Sequence, residues 1–212
     1  MDSTAKHSSH IASITKGKES KPQALASSKL SIVNARSIQQ REYSEPIFII
    51  EPLLHEGATL MASRPKLGKS WLGLQCAISV ATGKPALGRF NVVRPGRVLY
   101  LALEETERRI HDRLEALLPC GMELPNLEFL FELPKKLMDG GEVYLSSHLK
   151  QHAGEYSLVI IDTLLAAFAS SSRRDVVKLD YEKSELLRKL AQEHKIALLL
   201  IHHQNKATIK AR

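Results

Sequence analysis

The sequence predicts an α/β fold, a mainly parallel sheet with helices packed on both faces. Two observations carry that prediction. Short, continuous apolar runs recur from residue 57 onward, and runs without polar alternation fit strands buried on both faces. Between them lie longer segments whose apolar residues fall at helical spacing, and strand–helix alternation builds a parallel sheet from crossover units. No internal repeat is visible.

Order is expected to begin near "EPIFIIEPLL" (45–54). "GATLMAS" (57–63) follows a glycine turn and reads as the first buried strand. "KSWLGLQCAISVATG" (69–83) is helical and stops at Gly83. "RVLYLAL" (97–103) is the second strand. "EETERRIHDRLEALL" (104–118) places Ile110, Leu114, Leu117 and Leu118 on one helical face, and Pro119 ends it. "LEFLFEL" (127–133) is the third strand, and "GEVYLSSHLKQHA" (141–153) a helix. "SLVIID" (157–162) is the fourth strand, followed by a long amphipathic helix over 174–195 and a fifth strand, "IALLLIHH" (196–203).

The 212 residues are enough for one ordinary domain and a tail. Residues 1–43 carry nine serines, and seven basic residues against three acidic ones. Four of the seven net positive charges of the chain therefore lie there. With few large side chains to bury, this stretch is expected to be a disordered basic tail. Its charge fits a solvated segment or an arm for an anionic polymer. Residues 44–212 are expected to form the folded domain. Cys76 and Cys120 make no C-x-x-C pair, so neither a disulfide framework nor a cysteine zinc site is expected. A reducing cytoplasmic compartment and no membrane span are the matching expectations.

The strand at 57–63 runs into "ASRPKLGKSW" (62–71). Its tail has the G-K-S ending of a phosphate-binding loop, and it stands where such a loop must, between a buried strand and an amphipathic helix. That placement aims free backbone N–H groups and the positive helix end at an anion. "GKE" at 17–19 and "GKP" at 83–85 lack this setting. Gly68 lets the backbone approach phosphate, Lys69 reaches the β- and γ-phosphates, and the Ser70 hydroxyl ligates Mg²⁺. The nucleotide-lining stretch is thus expected to run through Ser63, Arg64, Pro65, Lys66, Leu67, Gly68, Lys69, Ser70 and Trp71. Ser63 stands where the usual pattern has its first glycine, and serine can follow there only if φ stays negative.

Asp162 ends an apolar strand, on the edge where open α/β sheets bind ligands. It is the expected metal-site carboxylate, although a strand-terminal Asp also caps turns. Thr163 follows it, so no Glu stands directly after the metal Asp. The base that orients water is instead expected on the neighbouring strand, at Glu104, with Glu105 beside it. Both acids also fit the start of a helix over 104–118. His202 and His203 end the fifth strand, with Gln204 and Lys206 just beyond. A histidine there can hydrogen-bond a γ-phosphate and report its loss; adjacent strand residues face opposite ways, which disfavours a His–His metal pair.

Together "LMASRPKLGKSWLGLQ", "GRVLYLALEETERRIHDRLEAL", "SLVIIDT" and "LLLIHHQNK" resemble the RecA-like P-loop ATPases of the RepA type, an AAA family group that includes plasmid and phage replicative helicases. The resemblance covers about residues 45–206. It implies a RecA-like core, ATP and Mg²⁺, single-stranded DNA as a partner, and a homo-oligomeric ring with ATP between subunits. By motif match it makes Lys69 and Ser70 the phosphate and metal residues, Glu104 the catalytic base, Asp162 the metal-site Asp, and His202 and His203 sensors. Arg113, in "HDRL", matches a family arginine near the phosphates; a solvated helix position is the alternative. Ser63 departs from the pattern. The chain also ends ten residues after His202, so the usual C-terminal strands, DNA-facing loop and basic finger are expected to be missing. An ATP hydrolase and an ATP-binding switch without effective hydrolysis, or an inactive truncated product, all remain open at this point.

Overall fold

The computed structural model describes residues 32–43, 45–168 and 176–203, the side chains of 176–180 excepted. The chain divides into two units, Met1–Tyr43 and Ser44–Arg212. In the first, the described part holds one short helix, α1 (Ala35–Gln39), whose N-cap Asn34 accepts the Ser37 N–H at 2.8 Å. The tail expected over 1–43 lies otherwise outside the described residues.

The second unit opens with a small antiparallel pair, β1 (Phe48–Ile50) and β2 (Leu54–His55). The main chain of elements then runs β3 (Gly57–Ser63), α2 (Lys69–Thr82), β4 (Arg97–Ala102), α3 (Glu107–Leu117), β5 (Leu127–Leu130), a single 3₁₀ turn (Leu137–Asp139), α4 (Gly141–Gln151), β6 (Tyr156–Asp162), α5 (Leu164–Phe168), α6 (Val176–His194) and β7 (Ala197–His203). β3 to β7 form one five-stranded parallel sheet in the order β3-β7-β6-β4-β5. The expected parallel α/β architecture is therefore present.

Alternation along the strands splits the core between the two faces. Val98, Tyr100, Leu158, Ile160, Leu199 and Ile201 meet α2 and Ile110 of α3 on one side. Leu101, Val159, Ile161, Leu198 and Leu200 meet α4, α5 and α6 on the other. β6 has all seven residues buried, and each large aliphatic side chain so buried contributes roughly 1.5–3 kcal/mol. Cys76 and Cys120 are both free thiols; burial pushes the Cys76 thiol up to about 11.

Several boundaries correct the sequence reading; by one residue each, β4 ends at Ala102, α3 at Leu117, and β6 starts at Tyr156. The helix expected over 104–118 starts only at Glu107, because Thr106 caps it, its hydroxyl accepting the Arg109 N–H. Glu104 and Glu105 therefore precede the helix instead of opening it. The strand expected to reach 133 ends at Leu130, on the outermost strand, where the ladder has a partner on one side alone. The helix expected to reach 153 ends at Gln151, since His152 leaves helical geometry and Gly154 turns with φ 83°. The strand expected from 196 begins at Ala197, after Lys195 turns in the left-handed region (φ 52°). The helix expected from 174 is described from Val176, residues 174 and 175 lying outside the described ones.

Candidate functional site

Parallel strands deliver their C-terminal ends to one edge, and the register states which residues arrive there. Ser63 pairs with His203, and Ala62 with His202. Asp162 stands opposite Ala102 on one side and Ile201 on the other. Segments far apart along the chain thus converge because each strand's apolar run ends at the same level.

Between β3 and α2 the backbone makes two left-handed turns, at Lys66 (φ 64°) and Gly68 (φ 81°). Gly68 caps α2 without any side-chain hydrogen bond, so the first amides of a 14-residue helix keep their donors available. Ser63 is not among the residues with positive φ, which is the condition under which a serine replaces glycine there. Lys69 is 6% exposed. Its ammonium donates to Ser63 O at 3.0 Å, Ser63 Oγ at 3.0 Å and Arg64 O at 2.8 Å. The serine that breaks the glycine pattern is thus a direct partner of the loop lysine.

Asp162 is 2% exposed and accepts a hydrogen bond from the Tyr100 hydroxyl at 2.7 Å. The same hydroxyl lies 3.4 Å from Ser70 O, which ties the end of β6 to the first turn of α2 through the middle of β4. Burial, followed by the Asp162 charge and this hydrogen bond, raises the Tyr100 phenol well above its ordinary range, so it stays a donor. The Ser70 hydroxyl and the Asp162 carboxylate are hard oxygen donors suited to Mg²⁺, which takes few protein ligands and completes its shell with phosphate and water. No cluster of three or more His, Cys, Asp or Glu poised to hold a metal ion gathers among the described residues.

Glu104, two residues beyond β4, accepts a hydrogen bond from Thr163 Oγ1 at 2.8 Å. Its other oxygen lies 3.8 Å from His203 Nε2. The Asp162–Thr163 peptide bond is cis. Glu105 points elsewhere, to Arg113 at 2.7 Å and Arg109 at 3.6 Å. Arg113 is not a solvated helix position: it is half-buried, and its guanidinium lies 5.4 Å from the centre of the Trp71 ring.

Glu104 and His203 are in this way brought together, as are Lys69 with Ser63 and Arg64, and Arg113 with Trp71. His202 is not among them. It faces the other side of β7, in a groove with Leu60, Leu164 and Leu200. The Nδ1 atoms of both histidines are buried without a hydrogen-bond partner among the described residues. Gln204 and Lys206 lie outside the described residues. Tyr100 has no role in the sequence expectations, and Thr163 enters them only as the residue that leaves no Glu after the metal-site Asp. A tyrosine inside an otherwise aliphatic strand was the one available signal for the first, since its hydroxyl needs a buried partner.

A family model described as an AAA domain matches residues 24–208. Among solved structures, one described as an ATPase domain aligns at 16% identity and TM-score 0.53, over 74% of this chain and 60% of that one. A DnaB-like replicative helicase, described with its interactions with primase, aligns at 15% identity and TM-score 0.54, over 76% of this chain and 42% of that one. The chain therefore spans less than two thirds of either structure. No curated protein matches. At these identities the likeness establishes the fold alone, an α/β fold shared with these two structures. No helix among the described residues is long and apolar enough to cross a membrane.

Proposed function

Because the chain belongs to the AAA domain family, whose model spans residues 24–208, we propose that it is an Mg²⁺-dependent ATPase of the helicase class that couples ATP hydrolysis to work on DNA. One observation supports the reading most: the edge that carries the Gly68–Lys69–Ser70 turn also carries Asp162, Glu104 and His203, set by strand register. Each answers a different requirement of phosphoryl transfer.

In this reading the loop amides and Lys69 hold the β- and γ-phosphates. Ser70 and Asp162 would hold Mg²⁺, which would neutralise charge on those phosphates. Glu104 takes a proton from the attacking water as the water oxygen bonds to the γ-phosphorus. The bond to the bridging oxygen breaks, and ADP leaves with that electron pair. His203, beside Glu104, senses the γ-phosphate. Arg113 lies against the ring of Trp71 in the first turn of α2, where the rest of the nucleotide would run. Single-stranded DNA and a ring of like subunits are the partners this reading expects, and the basic excess of residues 1–43 fits the first of them.

The test is phosphate release from Mg-ATP by the wild-type chain, by Lys69→Ala and by Glu104→Gln, with and without single-stranded DNA. Turnover that both substitutions lower by at least about a hundredfold supports the reading. Wild-type turnover equal to Lys69→Ala sinks it. Tight ATP binding without phosphate release would leave an ATP-binding switch in its place.

A further inference from the structure

We propose that Thr163 is a positioning residue for Glu104, fixing which carboxylate oxygen is free to act as the base; the inference rests on the ATPase reading above. The Thr163 hydroxyl has one hydrogen and two lone pairs. The Ala166 N–H donates to it at 3.3 Å. Its own hydrogen is then directed to its other close neighbour, Glu104 Oε1, at 2.8 Å. Thr163 is 1% exposed, so water does not compete for that hydrogen.

Glu104 needs such a partner. Its side chain is more than two-fifths exposed, and it stands between the end of β4 at Ala102 and the start of α3 at Glu107. A free glutamate there would sample many rotamers, at an ordering cost that a hydrogen bond to a rigid neighbour offsets. The hydrogen bond from Thr163 selects one placement and occupies Oε1. That leaves Oε2 turned toward His203 Nε2, 3.8 Å away, on the sheet edge that also bears the Lys69 turn. A base held in place is worth more than one that must be found at each turnover. The residue after the metal-site Asp, which carries no carboxylate of its own, thus acts through the carboxylate of the neighbouring strand.

Thr163 also caps α5 through Ala166, and the experiment must separate the two roles. Thr163→Val and Thr163→Ser are compared with wild type for kcat, for ADP affinity by fluorescent-analogue titration, and for thermal midpoint. The proposal expects Thr163→Val to lower kcat on the order of tenfold while ADP affinity stays within about threefold, and Thr163→Ser to restore kcat to within about twofold. A lower midpoint with wild-type kcat in Thr163→Val would reduce Thr163 to a helix cap and overturn the proposal. If the valine variant fails to fold, Thr163→Cys, close in size to serine and a poor donor, carries the same comparison: reduced kcat supports, wild-type kcat overturns. Failure of the ATPase reading is seen separately, as absent turnover in the wild type. The pair is then read from urea midpoints of Thr163→Val, Glu104→Ala and the double variant, because alanine, unlike glutamine, leaves no acceptor for the Thr163 hydroxyl. Non-additive losses support the proposed hold on Glu104, and additive losses overturn it.

Discussion

At the scale of single residues, the candidate site is built on pairs in which one side chain decides where another sits. Ser63 and Lys69 are the first such pair. One of the three acceptors that hold the Lys69 ammonium is the Ser63 hydroxyl, and the lysine must exchange some of that hold to meet a phosphate. Ser63→Ala removes that one acceptor and leaves both carbonyls. ADP affinity is therefore expected to tighten, by up to about fivefold, the worth of one ordinary hydrogen bond near about 1 kcal/mol. Isothermal titration would settle it, and a tenfold loss of affinity would mean that Ser63 serves the nucleotide directly. Tyr100 and Asp162 are the second pair. Tyr100→Phe leaves a buried carboxylate oxygen without its donor, at an expected cost of about 1.5–3 kcal/mol in urea unfolding. A loss below about 0.5 kcal/mol would show that another group takes over the hydrogen bond.

At the scale of elements, two glycines set how closely helices approach their neighbours, and they differ in what a methyl would meet. A Cβ on Gly73 of α2 would come 2.9 Å from Ile201 Cδ1, the tip of a flexible side chain that can turn away. A Cβ on Gly141, at the start of α4, would come 2.2 Å from Lys135 O and 2.7 Å from Lys136 O, which are backbone. Gly141→Ala is expected to destabilise by about 3 kcal/mol or more and Gly73→Ala by about 1 kcal/mol, read from urea midpoints; the reverse ranking would contradict the packing described. The same contrast between local and distant neighbours governs what was legible in the sequence. β3, β4, β6 and β7 were readable because their apolar runs are local signals. The start of α3 was misread because Glu104 and Glu105 are good helix formers, and the cap at Thr106 was the weaker sign. The β1–β2 pair went unseen because strands of three and two residues are too short to show a period. Of the candidate site, Lys69 stands out by the G-K-S turn that opens α2, and Asp162, Glu104 and His203 because each ends or follows a strand. Which acceptors Tyr100 and Thr163 meet could not be read, because each acceptor lies some sixty residues away in sequence, and pairing at that distance is set by strand order, which no local pattern encodes.

At the scale of the whole second unit, the two ends of the sheet hold different chemistry, and the end away from Lys69 carries two of the carboxylates whose folded values are lowered. There Arg97, at the start of β4, pairs with Glu128 of β5 and with Glu155 just before β6, and its guanidinium lies 5.0 Å from the Tyr156 ring centre. The Arg97 hydrogen bond holds the Glu155 carboxyl below its ordinary value. Burial acts to raise Glu128, but the Tyr156 hydrogen bond and then the Arg97 bond and charge outweigh it, and that carboxyl is lowered too. Folded values below the unfolded one mean stability that is fully present above about pH 4.3 and lost as pH falls through the folded values. His194 contributes an earlier loss. Burial lowers its folded value, so the unfolded chain takes up a proton first and stability declines as pH falls below about 6.5. Urea midpoints are therefore expected to be level from about pH 8 to 7, to decline gently below about 6.5, and to fall steeply below about 4.5. Arg97→Met should lower the midpoint at neutral pH and flatten the steep limb, while His194→Gln should flatten the gentle one. An Arg97→Met profile as steep as the wild type below about pH 4.5 would mean that other carboxylates carry the acid transition. Because Arg97 lies at the opposite end of β4 from Glu104, its replacement is also expected to leave ADP affinity at neutral pH within about twofold of the wild type, so that loss of fold and loss of site can be measured apart.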